Sequence, residues 1–161
     1  MSVAQVSLAL AIHACPENQK STVEGITRDF SAIKWSKQTL LLENSCAELS
    51  GKIPSLTADD LVSSLARVKG IHFEAMLTNG DFGQLVMFVP GLGMYRADTN
   101  GAGEILISED RIRNAMEQSA GNSRELQRLF RVLLGQAWDD VLEPFRAKRY
   151  NQNLALMNKA V

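Results

Sequence analysis

The chain has 161 residues, 45% of them apolar, enough for one domain with a substantial core. Its 17 Lys and Arg are matched by 18 Asp and Glu, which disfavours a general nucleic-acid surface, because phosphates demand excess positive charge. Two cysteines at unrelated positions form no disulfide framework, and no apolar run reaches the roughly 20 residues that span a bilayer, so a cytoplasmic protein without membrane contact is expected.

The first segment, MSVAQVSLALAIHACP, has no basic residue ahead of its apolar part, so a strand is expected there and not a signal peptide. Over residues 6–14, Leu8, Leu10 and Ile12 alternate with the small Ser7, Ala9 and Ala11 and with His13. Both faces of such a strand can be covered. Cys15-Pro16 ends it, and proline suits the first turn of a helix whose apolar stripe is Val23, Ile26 and Phe30. Residues 33–36 and 40–49 read as strands, and residues 51–55 as a turn. Thr57 with Asp60 resembles a capping box, and Leu61, Leu65 and Val68 give the next helix its stripe before Gly70 stops it.

Residues 71–77 alternate again, as a half-buried strand. The order to this point, strand-helix-strand-strand-helix-strand, is the ferredoxin-like one. Asn79-Gly80 and Asn100-Gly101 signal turns, and residues 85–89 and 92–98, split by Pro90-Gly91, read as a hairpin that extends the sheet.

The strongest periodicity comes last. Residues 104–107 read as a short strand. Ser108 is the expected N-cap of a helix with Glu109 and Asp110 in its first turn, and Gly121 is its expected stop. Ser123 looks like a second cap, followed by Leu126, Leu129, Phe130, Leu133, Leu134, Ala137, Trp138, Val141 and Leu142 at helical spacing. Gly135 leaves open one helix with a weak point or two helices. Pro144 is expected to end the pattern. The domain is thus residues 1–146, with residues 147–161 a loosely held tail.

GEILISEDRIRNAM (residues 103–116), followed by LLGQAWDDVLEPFR (residues 133–146), resembles the C-terminal half of an actinobacterial family, domain-of-unknown-function family 3145. The likeness extends more loosely over residues 6–146 through IHACP, TVEG, IKWSKQ, AELS, SSLARVKGIHFE and LGMYRADT. It implies an actinobacterial, cytoplasmic origin and no assigned activity. Where the family often shows a Cys-Pro-His run, this chain has Lys20-Ser21-Thr22, so chemistry built on that run is not available here.

Few residues are candidates for chemistry. Cys15 precedes a helix start, where the dipole would favour a thiolate, and His13 stands two residues away as a possible base. The bland alternative is a small thiol in a helix-entry turn. His13, Cys15, Cys46 and His72 are the soft metal ligands, but they lack paired spacing, and no metal or other cofactor is expected. The Gly91-Leu92-Gly93 and Gly101-Ala102-Gly103 pairs fit turns and not phosphate loops. Two charged clusters remain: Glu109, Asp110, Arg111 and Arg113, then Asp139, Asp140, Glu143 and Arg146. With Trp138 they are candidates for an interaction surface, against the plainer reading of solvated helix faces and, for Trp138, core.

The expectation is therefore an α+β single domain: a mostly antiparallel sheet on a ferredoxin-like core, an added β-hairpin and C-terminal helices, with helices on one face. Its function is expected to be non-catalytic binding through a protein partner or a second copy. A small-molecule-binding regulatory domain and a thiol enzyme using Cys15 with His13 are the alternatives.

Overall fold

The computed structural model describes residues 4–30, 35–38 and 47–159, with 35–38 and 149–156 described by backbone alone. Residue Cys46 and most of the strand expected over residues 40–49 lie outside the described residues. The chain is α+β, with a seven-stranded sheet ordered β2-β3-β1-β4-β5-β6-β7. Its strands are β1 (Gln5–Ala14), β2 (Trp35–Gln38), β3 (Ala47–Pro54), β4 (His72–Asn79), β5 (Phe82–Val89), β6 (Gly93–Asn100) and β7 (Ile105–Leu106), and every pairing is antiparallel. The helices are α1 (Lys20–Asp29), α2 (Ser55–Ala66), α3 (Glu109–Ser119), α4 (Ser123–Leu133) and α5 (Gln136–Lys159).

The alternation of β1 is decisive for the layers. Leu8, Leu10 and Ile12 turn to one face, where they meet Ile53, Phe73 and Leu77 from neighbouring strands and Leu61, Val62 and Leu65 of α2. Val23 of α1 joins this core. Arg96 of β6 adds a tie to α2 by donating to Asp59 at 2.9 Å. The opposite face holds a second core of Met87, Val89, Tyr95 and Ala97, closed by the buried Leu142 of α5. Helices therefore cover both faces, not one as the sequence suggested. On β5 and β6 the second face is itself apolar, through Leu85, Met87 and Val89 and through Tyr95 and Ala97, and needs cover.

Several local expectations are corrected. Residues 51–55 are not a turn. Gly51 and Ile53 are buried and pair with Leu8 and Val6, so β3 runs straight into α2 through Pro54. No side chain caps α2, so Thr57 and Asp60 do not act as a box. A 3-10 turn, Glu17–Gln19, separates Pro16 from α1. Ser108 does cap α3, accepting from the Arg111 N–H. At α4 the cap is Asn122, one residue before the expected Ser123, and its Oδ1 accepts from the N–H groups of Arg124 and Glu125.

Gly135 divides two helices. Its φ of +66° is one that side chains rarely adopt. Pro144 does not end α5, which continues to Lys159 through the residues read as a tail. Pro144 and Asp140 are both exposed, so the carbonyl deprived of its helical N–H faces water, while Leu142 and Phe145 on the other side pack inward.

Candidate functional site

Cys15 and His13, paired in the sequence reading, are not brought together. The register of β1 against β4 shifts between Ile12 and Ala14. Cys15 packs against the core on the α1–α2 side, and its thiol lies 3.5 Å from the Pro16 carbonyl. Burial pushes the thiol up from its ordinary value, with the nearby Lys20 opposing. That is the reverse of thiolate activation. His13 instead turns to the α5 face, beside the Phe145 ring at 6.4 Å and Glu74 at 3.4 Å. Its side chain is wholly buried, yet neither ring nitrogen has a hydrogen-bond partner among the described residues. His72 also meets the Phe145 ring, at 5.3 Å, and burial lowers its pKa. No cluster of three or more metal-ligating side chains occurs among the described residues.

The centre of this region is a contact that sequence reading did not find. Arg146 of α5 donates from Nε and Nη2 to Glu74 Oε2 of β4, at 2.9 and 2.6 Å. It also donates to Asp139 at 2.9 Å and to Glu143 at 3.3 Å. Burial works against ionisation of Glu74, but the contacts with His13 and Arg146 outweigh it and hold the carboxyl at about 2. Burial likewise opposes the Arg146 charge, and the Glu74 contact more than restores it, so the guanidinium pKa is raised. Asp139 and Arg146, expected to serve partner recognition, are thus spent at least partly on anchoring α5 to the sheet.

The other proposed interaction residues divide in two. Trp138 is half-buried, donates its indole N–H to the Gly93 carbonyl at 2.9 Å and lies against Tyr95 at 5.3 Å, so it packs α5 onto β6. Asp140 accepts from Arg131 at 3.0 Å, tying α5 to α4. Glu109, Asp110, Arg111 and Arg113 stay exposed on α3, with Glu109 paired to Arg113. Around them α4 buries none of its residues, and Met116, Val132 and Leu134 are 57%, 46% and 45% exposed.

Beyond Arg146, Ser7 and Ala9 of β1 are exposed on this face among the described residues. The small residues of β1 form the floor of a cleft of about 450 Å³, with Ala9, Ala11, Ser50, Met76 and Leu85 along it. Glu48, Glu74 and Arg146 also line it. The floor runs on toward Ser7, Lys52 and Thr78. The sequence signal for this cleft was the run of Ser7, Ala9 and Ala11. The cover of both faces expected for this strand is found on the small-residue side, among the described residues, only toward Ala11 and His13.

Residues 9–159 match a family model described as "Protein of unknown function (DUF3145)". The chain belongs to that family. The motif of residues 103–116 and 133–146 that pointed to it spans α3 and the start of α5, including Trp138, Asp139 and Arg146. No curated protein and no solved structure matches the chain.

Proposed function

We propose that the protein is a non-catalytic binding protein that takes a small organic ligand in the cleft on the open half of its sheet. One observation carries this reading: Ser7 and Ala9 of β1 are exposed beside α5, and the cleft over this face reaches the partly buried Glu74–Arg146 pair. Ligand sites are typically concave and mostly apolar, with a few fixed polar groups. The absence of an activated nucleophile at Cys15 favours binding over a thiol reaction. A ferredoxin-like core accords with the order β2-β3-β1-β4 and with α1 and α2 on one side, and open sheet faces in such folds suit ligands or partners; that step is analogy. The cytoplasm of an actinobacterium remains the setting implied by the resemblance. A metabolite screen by thermal shift tests the reading, since a ligand that prefers the folded state raises the melting temperature. Hits should vanish in Ala9→Phe, which fills the floor; hits that persist there would remove the cleft from consideration.

A second reading rests on the α3–α4 surface. Met116, Val132 and Leu134 are exposed beside α3, where Glu109, Asp110 and Glu117 outnumber Arg111 and Arg113, and α4, where Arg124, Arg128 and Arg131 outnumber Glu125. A two-fold axis that sets α3 against the α4 of a second copy would bring opposite charges together around an apolar centre. Light scattering across a concentration series tests it. A monomer throughout, or a dimer unaffected by Met116→Glu with Val132→Glu, rules it out.

A further inference from the structure

The cleft's closed end has a definite chemical character, and the following inference rests on the ligand-binding reading above. Arg146 brings one positive charge, and three carboxylates surround it: Glu74, Asp139 and Glu143. Lys52 is on the floor but sits beside Ser7, four residues along β1 from Ala11, which pairs with Glu74. That spacing is about 13 Å. Among these described side chains carboxylates outnumber cations around Arg146, which disfavours an anionic ligand there.

The hydrogen-bonding capacity points the same way. Arg146 takes Glu74 Oε2 twice, while Oε1 has the His13 ring at 3.4 Å and no shorter donor among the described residues. An ionised carboxylate only accepts. Behind it, His13 Nε2 lies 3.4 Å from Oε1, buried and without a hydrogen-bond partner among the described residues. With only a long approach on one side, Oε1 keeps acceptor capacity, and a donor arriving there would complete the carboxylate. The remaining lining, Ala9, Ala11, Met76 and Leu85, calls for an apolar body.

We infer that the cleft binds a protonated amine carried on an apolar chain or ring, with the ammonium donating to Glu74 and the apolar part lying along the β1 floor. Arg146 is a positioning residue here, since it holds the carboxylate ionised and oriented without touching the ligand's charge.

The test uses the full chain and three probes of one length: hexylamine, 1-hexanol and hexanoate. Binding is read by protein-observed NMR, with chemical-shift changes mapped onto Ala9, Ser50 and Met76. Hexylamine is expected to bind roughly tenfold to a hundredfold more tightly than hexanol, the worth of one charge-assisted hydrogen bond, and hexanoate not measurably. In Glu74→Gln the amine should fall to the level of hexanol. Because that variant also weakens the hold on Arg146, Ala9→Leu provides a control that blocks the floor while leaving Glu74 in place; it should lose all binding. Hexanoate binding as well as hexylamine would overturn the amine assignment and leave the cleft standing. An amine preference that survives Glu74→Gln would do the same. Failure of every probe to shift Ala9, Ser50 or Met76 would overturn both the assignment and the cleft.

Discussion

Glu74 and Arg146 are 72 residues apart in the chain and joined by two hydrogen bonds to a single carboxylate oxygen. The pair fastens the last helix to the middle of the sheet. With both side chains about three-quarters covered, removal of one partner leaves a charge in a place where water compensates poorly.

Arg146→Ala is therefore expected to cost about 3 kcal/mol, and Glu74→Ala a similar amount. Since the two groups serve each other, the double variant should cost clearly less than the sum, with a coupling of about 1–3 kcal/mol. Urea unfolding of the four proteins measures it. Additive effects would mean that the pair contributes little as a pair.

Acid should weaken the fold through the same carboxyl. Glu74 is held at about 2 in the folded state, below the roughly 4.3 of a free glutamate. A depressed folded value stabilises the protein above the unfolded value, and this contribution fades as pH falls from about 4.3 toward 2. Stability against pH for Glu74→Gln should lack that portion of the slope. Parallel curves for the variant and the parent would contradict the assignment.

A Cβ added at Gly135 would lie 2.7 Å from Tyr95 Cε1 and 2.8 Å from Met87 Cε, on a backbone with φ of +66°. The methionine tip can yield, but the tyrosine is tied down by its hydroxyl, which donates to the Leu133 carbonyl at 2.6 Å. Gly135→Ala should destabilise by about 2–3 kcal/mol, from overpacking together with the strained backbone. Thermal or urea melts decide it, and Tyr95→Phe should lose less, about 1 kcal/mol.

Cys15 should alkylate more slowly at neutral pH than a free cysteine, because burial raises its thiol. Peptide-resolved mass spectrometry after iodoacetamide treatment reports Cys15 separately from Cys46. A fast reaction at Cys15 would revive the thiol-enzyme alternative.

Replacement of the two side-chain caps gives a local check. Ser108→Ala and Asn122→Ala should each cost about 1 kcal/mol, with the second the larger because Asn122 serves two N–H groups.

Much of the fold was legible because the period of the apolar residues reports local structure. Leu8-Leu10-Ile12 gave β1, Leu61-Leu65 gave α2, and Pro90-Gly91 between alternating segments gave the β5–β6 hairpin. The misses have physical causes. Gly51 and Pro54 look like a turn, but the partner strand and burial override propensity. Pro144 looks like a stop, but packing of Leu142 and Phe145 carries the helix past it. The candidate site was least legible. Glu74 lies within an ordinary alternation, and nothing local distinguishes it from Glu48. Only the crossing of α5 over the strands sets it beside Arg146. Cys15 illustrates the opposite error: proximity to His13 in sequence suggested a pair that a register shift separates.

The path of α5 has one more outcome. It touches β6 through Trp138, the core under β5 through Leu142, β4 through Arg146 and β1 through Phe145 beside His13. The hairpin half of the sheet cannot fray away while this crossbar is seated, so the strands on both sides of β4 should melt together as a single cooperative unit.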